Sequence, residues 1–351
     1  MNDKKVKKQA LTFLSLDDLT GLLNDEPTFR PVQIYEWICR GTLSFDEMSN
    51  LPMPLRKGLS EKYEILTGEV ISELHDRDGT VKLGIQLEDG VVIEAVMLKD
   101  GKDRKTACLS TQAGCPLGCV FCKTASLGFK RNLNAYEIAG QFLHLLKREK
   151  DISHVVIMGM GEPLLNFDEL KKALDFLMDK GGLNISKRRI TLSTSGVVSG
   201  IYDLANNGPD LRLALSLTTA RELLRLDLMP GSRENPLHKV KLALLEYQNK
   251  RKRRITLEMV LLAGLNTGPS DVKAAVEFAK GLNVVYNIIQ WNPVDGLQFD
   301  GFPLKTPEPK EAAEFAAALE KEGLKTTMRI EKGKNICGAC GQLGFLSGSP
   351  T

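Results

Sequence analysis

Apolar residues recur along this chain in two rhythms, and the change between them divides it. Up to about residue 75 the rhythm is helical. Ser15 to Leu23 and Val32 to Cys39 carry helical apolar spacing, with Pro31, Pro52 and Pro54 as breakers. Residues 69 to 98 change character: Val70–Leu74, Val81–Leu87 and Val91–Leu98 alternate or run apolar. Asp78-Gly79 and Asp89-Gly90 separate them, and Asp-Gly between apolar strands signals a hairpin. A small antiparallel sheet is predicted there.

From about residue 106 strands alternate with helices. The strand candidates are Thr106–Ser110, His154–Met158, Arg189–Ser193, Leu211–Leu217, Ile255–Ala263 and Val284–Gln290. Between them, Asn134 to Glu149 opens as a capping box, with Glu137 three residues after Asn134. Asp168 to Asp179 sets Leu170, Ala173, Leu174 and Leu177 on one face, and Thr306-Pro307 predicts the start of a helix through Phe315 and Leu319. Six consecutive strand–helix units imply an α/β fold with a parallel sheet, too few for an eight-fold barrel. A partial (β/α)6 barrel and a doubly wound sheet both satisfy that rhythm. The predicted division is residues 1–75 as a helical accessory domain and 76–105 as an antiparallel extension. Residues 106–330 form the α/β unit, and 331–351 form a tail.

The 351 residues are 42% hydrophobic and 26% charged, which argues against a disordered, collagenous or disulfide-scaffold protein. No apolar run approaches the ~18 residues of a membrane span. The first residues, rich in lysine and cut off by Asp17 and Asp18, do not read as a signal peptide. A cytoplasmic protein with no membrane partner is therefore expected. Disulfides are rare there, so seven cysteines call for metal or redox chemistry. A balance of 47 basic to 44 acidic residues does not announce nucleic acid. The basic residues do cluster, at Lys4–Lys8, Lys102–Lys105, Lys187–Arg189 and Arg251–Arg254. Each cluster alone reads as a solvated surface.

The strongest chemical signal is GCPLGCVFCKT. Cys115, Cys119 and Cys122 are spaced C-x3-C-x2-C directly after the first strand of the α/β unit. Three thiolates in such a loop can hold three irons of a 4Fe–4S cluster. Electron-transfer clusters usually have four cysteines, so an open fourth iron points to chemistry at the cluster. The competing reading is structural zinc on Cys119, Cys122, Cys337 and Cys340, which leaves Cys115 idle.

With its aromatic before the last cysteine, this loop resembles the radical S-adenosylmethionine superfamily. Met158-Gly159-Met160-Gly161-Glu162-Pro163 after the second strand agrees with it. Four further features narrow the resemblance. These are Ala339-Cys340-Gly341-Gln342-Leu343, the stretch Lys187 to Gly196, Gly128 to Leu133, and Cys108 seven residues before Cys115. Together they resemble the RlmN/Cfr family of RNA adenine methyltransferases, from about Phe29 to Leu343.

The resemblance implies a partial (β/α)6 barrel, with an accessory region that binds RNA. It implies a 4Fe–4S cluster on Cys115, Cys119 and Cys122, and S-adenosylmethionine held by Gly161, Glu162, Ser193, Ser216, Leu217, Thr218 and Asn292. Cys340 would accept a methyl group, and Cys108 would resolve the product by attacking the Cys340 sulfur, leaving a transient disulfide. Glu94, a lone acid in an apolar strand and by itself a solvent-face residue, would accept the proton of the base. The implied partners are 23S rRNA, with tRNA as a second substrate, and an electron donor such as flavodoxin; a monomer is expected. Pro163 resembles the branch that methylates adenine C2, with C8 methylation and a different substrate as the alternatives.

Two departures stand out. The family usually reads Ser-Leu-His-Ala/Ser-Pro where this chain reads Ser216-Leu217-Thr218-Thr219-Ala220. Thr218 can hydrogen-bond but cannot become a cation. Cys337 occupies a position that is usually not cysteine. It could compete with Cys108, bind a metal or be incidental. Cys39 reads most simply as a core thiol.

Overall fold

The computed structural model describes residues 8–12, 14–66, 68–101 and 104–344. Lys4 to Lys7 of the first basic cluster, Lys102 of the second, and the tail beyond Gly344 lie outside the described residues. Three helices open the chain: α1 (Leu16–Leu22), α2 (Phe29–Cys39) and α3 (Met53–Lys62). Ser15 and Asp18 close a capping box on α1. Pro31 does not break α2. It falls in the first turn, where an amide has no helical acceptor to lose, so the helix starts at Phe29 rather than Val32. Pro54 stands likewise in the first turn of α3. Leu19, Ile34, Ile38 and Leu59 seat these helices on the main core. The Tyr35 hydroxyl donates to the Asp179 carboxylate, tying α2 to the α/β unit. Cys39 is half-buried, and burial with the nearby Asp179 charge pushes its thiol up to about 12.

Ten strands form one sheet in which each pairs with the next in sequence. They are β1 (Glu69–His75), β2 (Val81–Gln86), β3 (Val92–Lys99), β4 (Lys105–Cys108) and β5 (Ile152–Ile157). β6 (Ile190–Thr194), β7 (Arg212–Ser216), β8 (Ile255–Leu261), β9 (Val284–Gln290) and β10 (Thr326–Met328) follow. β1 to β4 are antiparallel and β4 to β10 parallel. The predicted antiparallel sheet is therefore not separate. Val96 faces Cys108 and Met97 faces Ala107 across β3 and β4, which splices it onto the parallel strands. The six predicted parallel strands are β4 to β9. β10 is too short at three residues to show a period.

Among the described residues six helices of ten or more residues connect the parallel strands: α4 (Ala135–Arg148), α5 (Phe167–Met178), α6 (Val198–Asn207), α7 (Leu237–Arg251), α8 (Pro269–Ala279) and α9 (Pro309–Lys321). The Asn134–Glu137 capping box forms on α4 as predicted. α9 begins at Pro309, not Thr306-Pro307, because Thr306 is used elsewhere: its hydroxyl donates to the Trp291 carbonyl at 2.8 Å.

Residue alternation decides between the two candidate architectures. One sheet face carries Val155, Leu192, Leu213, Leu257 and Ile288 into the main core. The other face carries Thr106, Thr191, Thr256 and Asn287 into a cavity of about 1160 Å³. A doubly wound sheet would bury both faces under helices. Here the sheet curls around an open, polar interior, and the fold is a partial (β/α)6 barrel.

Candidate active site

The cysteine loop sits in a hairpin whose arms are Gln112–Gly114 and Phe129–Asn132. The arms approach so closely that a Cβ on Gly114 would lie 1.7 Å from the Gly128 carbonyl oxygen. Cys115, Cys119 and Cys122 line one cavity of about 150 Å³. Glu162, Ser193, Ser216, Thr218, Asn292 and Cys340 line it too. Burial pushes all three loop thiols up, Cys115 to about 12; for Cys119 the neighbouring Cys122 and Cys115 add to it.

Arg225 tests whether these residues suit an iron–sulfur cluster. It is almost wholly buried, at 1% exposure, and its Nε and Nη1 have no partner. Only Nη2 is engaged, by the Ser195 and Ser216 carbonyls. Burial lowers this arginine to about 10, while Cys119, Glu222 and Glu162 act the other way. A buried unpaired guanidinium calls for an anion, and thiolates ligating iron provide one. Among the described residues no three His, Cys, Asp or Glu side chains converge as a single ion requires. A four-iron cube holds its thiolates farther apart than one ion does. Cys337, needed for the zinc reading, does not line the cysteine cavity. It sits at φ +49°, its carbonyl 3.3 Å from the Lys82 ammonium.

The glycine bend after β5 forms the next wall. Gly161 has φ +98°, and a Cβ there would meet the Gln112 Cβ at 2.4 Å. The Glu162 carboxylate accepts from the Thr194 hydroxyl at 2.7 Å, the Ser195 amide at 2.8 Å and the Leu164 amide at 3.1 Å. It therefore clasps the bend to the end of β6, and burial raises it although these bonds pull the other way. Ser193 lies 3.1 Å from Ser216 and donates to the Glu258 carboxylate at 3.0 Å. Glu258 lines both cavities and was missed in the sequence. Its signal, a lone acid in the apolar run Ile255 to Leu261, is the pattern that Glu94 also shows and that by itself reads as a solvent-face residue.

Thr218 is fully buried on the cavity wall, with an unpartnered hydroxyl and φ +59°. A β-branched residue seldom adopts that conformation. Its amide donates to the Glu258 carbonyl at 3.0 Å and its carbonyl accepts from Asn266 at 2.8 Å. The Leu217 side chain packs in the core and lines neither cavity.

The tail folds back onto the cysteine loop. Asn292 donates to the Cys340 carbonyl at 2.9 Å, and the Lys123 amide donates to that of Gly341 at 2.8 Å. The Thr124 hydroxyl donates to the Leu343 carbonyl at 2.7 Å. Cys340 thereby lies on the walls of both cavities, and Cys108 lines the larger one. Burial pushes Cys108 up to about 12, and the charge of nearby Cys340 adds to the effect. All seven cysteines are free, so no Cys108–Cys340 disulfide is formed.

Glu94 is buried, not on the solvent face as a lone acid in an apolar strand suggests; it is paired with Lys82 at 2.9 Å, and its other oxygen accepts from the Gly344 amide. It lines neither cavity. Its carboxyl is raised by burial, against the pull of Lys82 and Gly344.

This combination of barrel, cysteine loop and glycine bend defines a radical S-adenosylmethionine enzyme, and the Radical SAM superfamily matches residues 109–279. The Ribosomal RNA large subunit methyltransferase N-terminal domain matches residues 14–65. A probable dual-specificity RNA methyltransferase RlmN from Treponema denticola is 46% identical over 97% of this chain and 96% of its own. The like-named protein of Syntrophomonas wolfei is 41% identical over 96% and 98%. The crystal structure of a radical SAM methyltransferase from Sphaerobacter thermophilus superposes with a TM-score of 0.89 at 33% identity, covering 95% of this chain and 99% of that one. The chain belongs to the RlmN family of radical S-adenosylmethionine RNA methyltransferases. Among the described residues no helix is long and apolar enough to cross a membrane.

Proposed function

We propose that this protein methylates C2 of an adenosine in 23S rRNA, with tRNA as a second substrate, through a methyl carried on Cys340. The observation that carries this reading is the position of Cys340. It stands between the cavity of the three loop cysteines and the larger cavity that Cys108 lines. One sulfur can be loaded on one side and discharged on the other.

Cys115, Cys119 and Cys122 would hold a 4Fe–4S cluster, and Gly161, Ser193, Ser216, Thr218 and Asn292 line the room left for S-adenosylmethionine. Those groups supply a methyl donor, an electron and a hydrogen-abstracting radical when bound. The chain supplies the rest. The Cys340 thiolate is the nucleophile that takes the methyl. Once its carbon is joined to the base, Cys108 attacks the Cys340 sulfur, forming an S–S bond and breaking the S–C bond. Glu94 is the proposed acceptor of the proton from the base, and displacement of the tail would release the oxygen that Gly344 now holds. The helices α1 to α3 and the strands β1 to β3 would form the accessory RNA-binding region. The proposed setting is a cytoplasmic monomer reduced by a flavodoxin-like protein.

Nucleoside analysis tests this reading. Anaerobically reconstituted protein is supplied with reductant, S-adenosylmethionine and RNA lacking 2-methyladenosine, and the digest is read by mass spectrometry. A 2-methyladenosine peak is expected. An 8-methyladenosine peak would move the reaction to the other carbon. Neither peak, from protein that still cleaves S-adenosylmethionine, would overturn the substrate.

A further inference from the structure

The barrel cavity has a second end, away from the cysteines, that the reaction as described does not use. Four adjacent strands begin there with basic residues on the inner face. Arg104 precedes β4, His154 lies in β5, Arg189 precedes β6 and Arg212 opens β7, and all four line the cavity. The sheet register makes them a row: Thr106 faces His154, Ile190 faces Val155, and Thr191 faces Arg212. Their proximity is felt at His154, which is held below its ordinary value by burial and then by Arg104, Arg189 and Arg212. Arg104 is paired with Asp100 at 2.8 Å. The exposed side chains of Arg189 and Arg212 have no hydrogen bond or ion pair among the described residues.

Arg189 and Arg212 stand on neighbouring strands of one rim, with Arg212 opposite Thr191, and two unpaired guanidiniums so placed present like charge that an anion between them would offset. Guanidinium is suited to phosphate, which it grips through two parallel N–H bonds. The rim leads to Cys108 at the other end of β4, four residues from Arg104. At ~3.3 Å per residue that is about 13 Å, a depth within reach of an extruded nucleotide whose phosphate stays at the rim. Both reacting sulfurs line this cavity, whereas the three cluster cysteines line only the smaller one.

We infer that the substrate RNA enters by this mouth, and that Arg189 and Arg212, with His154 between their strands and Arg104, clamp the phosphates flanking the target adenosine. This rests on the RNA-methylating reading above and adds the route and the contacts. A basic rim also suits an acidic electron-donor protein. The rim's connection to Cys108 and Cys340, rather than to the cluster loop, favours RNA.

The test uses the cluster-loaded full chain, with the paired variants Arg189→Ala/Arg212→Ala and Arg189→Lys/Arg212→Lys. Iron content and brown absorbance check the fold. Binding of unmodified tRNA and 23S rRNA transcripts is titrated over a range of salt, alongside RNA methylation. The alanine pair should bind about tenfold more weakly, and its log–log salt slope should fall by about 1.5, the loss of two phosphate contacts. The lysine pair should recover most of the slope. If wild type binds and methylates RNA and the alanine pair equals it in affinity and slope, the mouth is not the RNA clamp, while the methyltransferase reading stands. If wild type neither binds nor methylates RNA, both fail. If the alanine pair keeps RNA affinity but accepts electrons more slowly from flavodoxin and normally from dithionite, the rim is a protein-docking surface and the RNA clamp is refuted.

Discussion

Asn292 donates a 2.9 Å hydrogen bond to the carbonyl of Cys340, so a residue at the end of one barrel strand holds the cysteine of the tail in place. Asn292 was expected as a contact to S-adenosylmethionine. In this arrangement its amide is engaged by the protein itself, although the residue still lines the cysteine cavity. Asn292→Leu leaves that carbonyl without its partner, at a cost of about 1–3 kcal/mol if it stays buried. The tail should then open, shown by faster amide exchange over residues 339 to 343, and Cys340 should load its methyl more slowly. Iron content should not change. Unaltered exchange in the variant would show that Asn292 does not hold the tail.

Each of Cys115→Ala, Cys119→Ala and Cys122→Ala should abolish the brown cluster absorbance and most bound iron. The three thiols share one cavity, and removing any one leaves too few ligands. Full iron retention in a variant would remove that cysteine from the ligand set.

Arg225 is predicted to hold the cluster's charge. Arg225→Met removes a buried cation beside Cys119 and leaves the negative cluster uncompensated. Adding an electron then becomes harder, and the midpoint potential should fall on the order of 100 mV. Redox titration by electron paramagnetic resonance reads this without turnover. An unchanged potential would mean that the orphaned guanidinium nitrogens answer to something else.

Cys108→Ala should trap the protein covalently on RNA, visible as a band that survives denaturation. Release of free product at the normal rate would refute the resolving role. The wild-type release step should also depend on pH. Burial holds the Cys108 thiol at about 12, above its usual value, so its thiolate is a minor species at neutral pH. Single-turnover release should accelerate about tenfold per pH unit between about pH 7 and about pH 9. A flat profile would exclude Cys108 thiolate attack as the slow step.

Thr218 is held at a φ of +59°, unfavourable for a β-branched side chain. Thr218→Gly should relieve that strain and raise unfolding free energy by about 1 kcal/mol in denaturant titration. Thr218→His should retain or increase RNA methylation. Total loss of activity with intact fold would mean this chain uses the threonine differently.

Much of the barrel was legible because its strands are apolar on the face under the helices, and their residues recur with a period the eye can follow. Val155, Leu192 and Leu257 belong to that face. Prolines misled the reading at Pro31 and Pro54, where position within the first turn decides their effect, and spacing alone does not reveal it. Glu94 and Glu258 show the same limit at the site. Each is a lone acid in an apolar strand. The pairing of Glu94 with Lys82 and of Glu258 with Ser193 depends on neighbours distant in sequence.

By itself the amino-acid order determined the strand–helix alternation, the cysteine spacing and the kinship they signal. These are local properties: a period of two or 3.6 residues, or three thiols within one loop, survives without knowledge of the remaining chain. Only the tertiary structure decided that the antiparallel strands continue the barrel sheet, and that the tail folds onto the cysteine loop. It alone placed Cys340 between two cavities, buried Arg225 without a partner, and gathered Arg189 and Arg212 at a mouth. Those outcomes follow from pairing register and packing between segments far apart in sequence, and no local period encodes which distant residue will stand opposite.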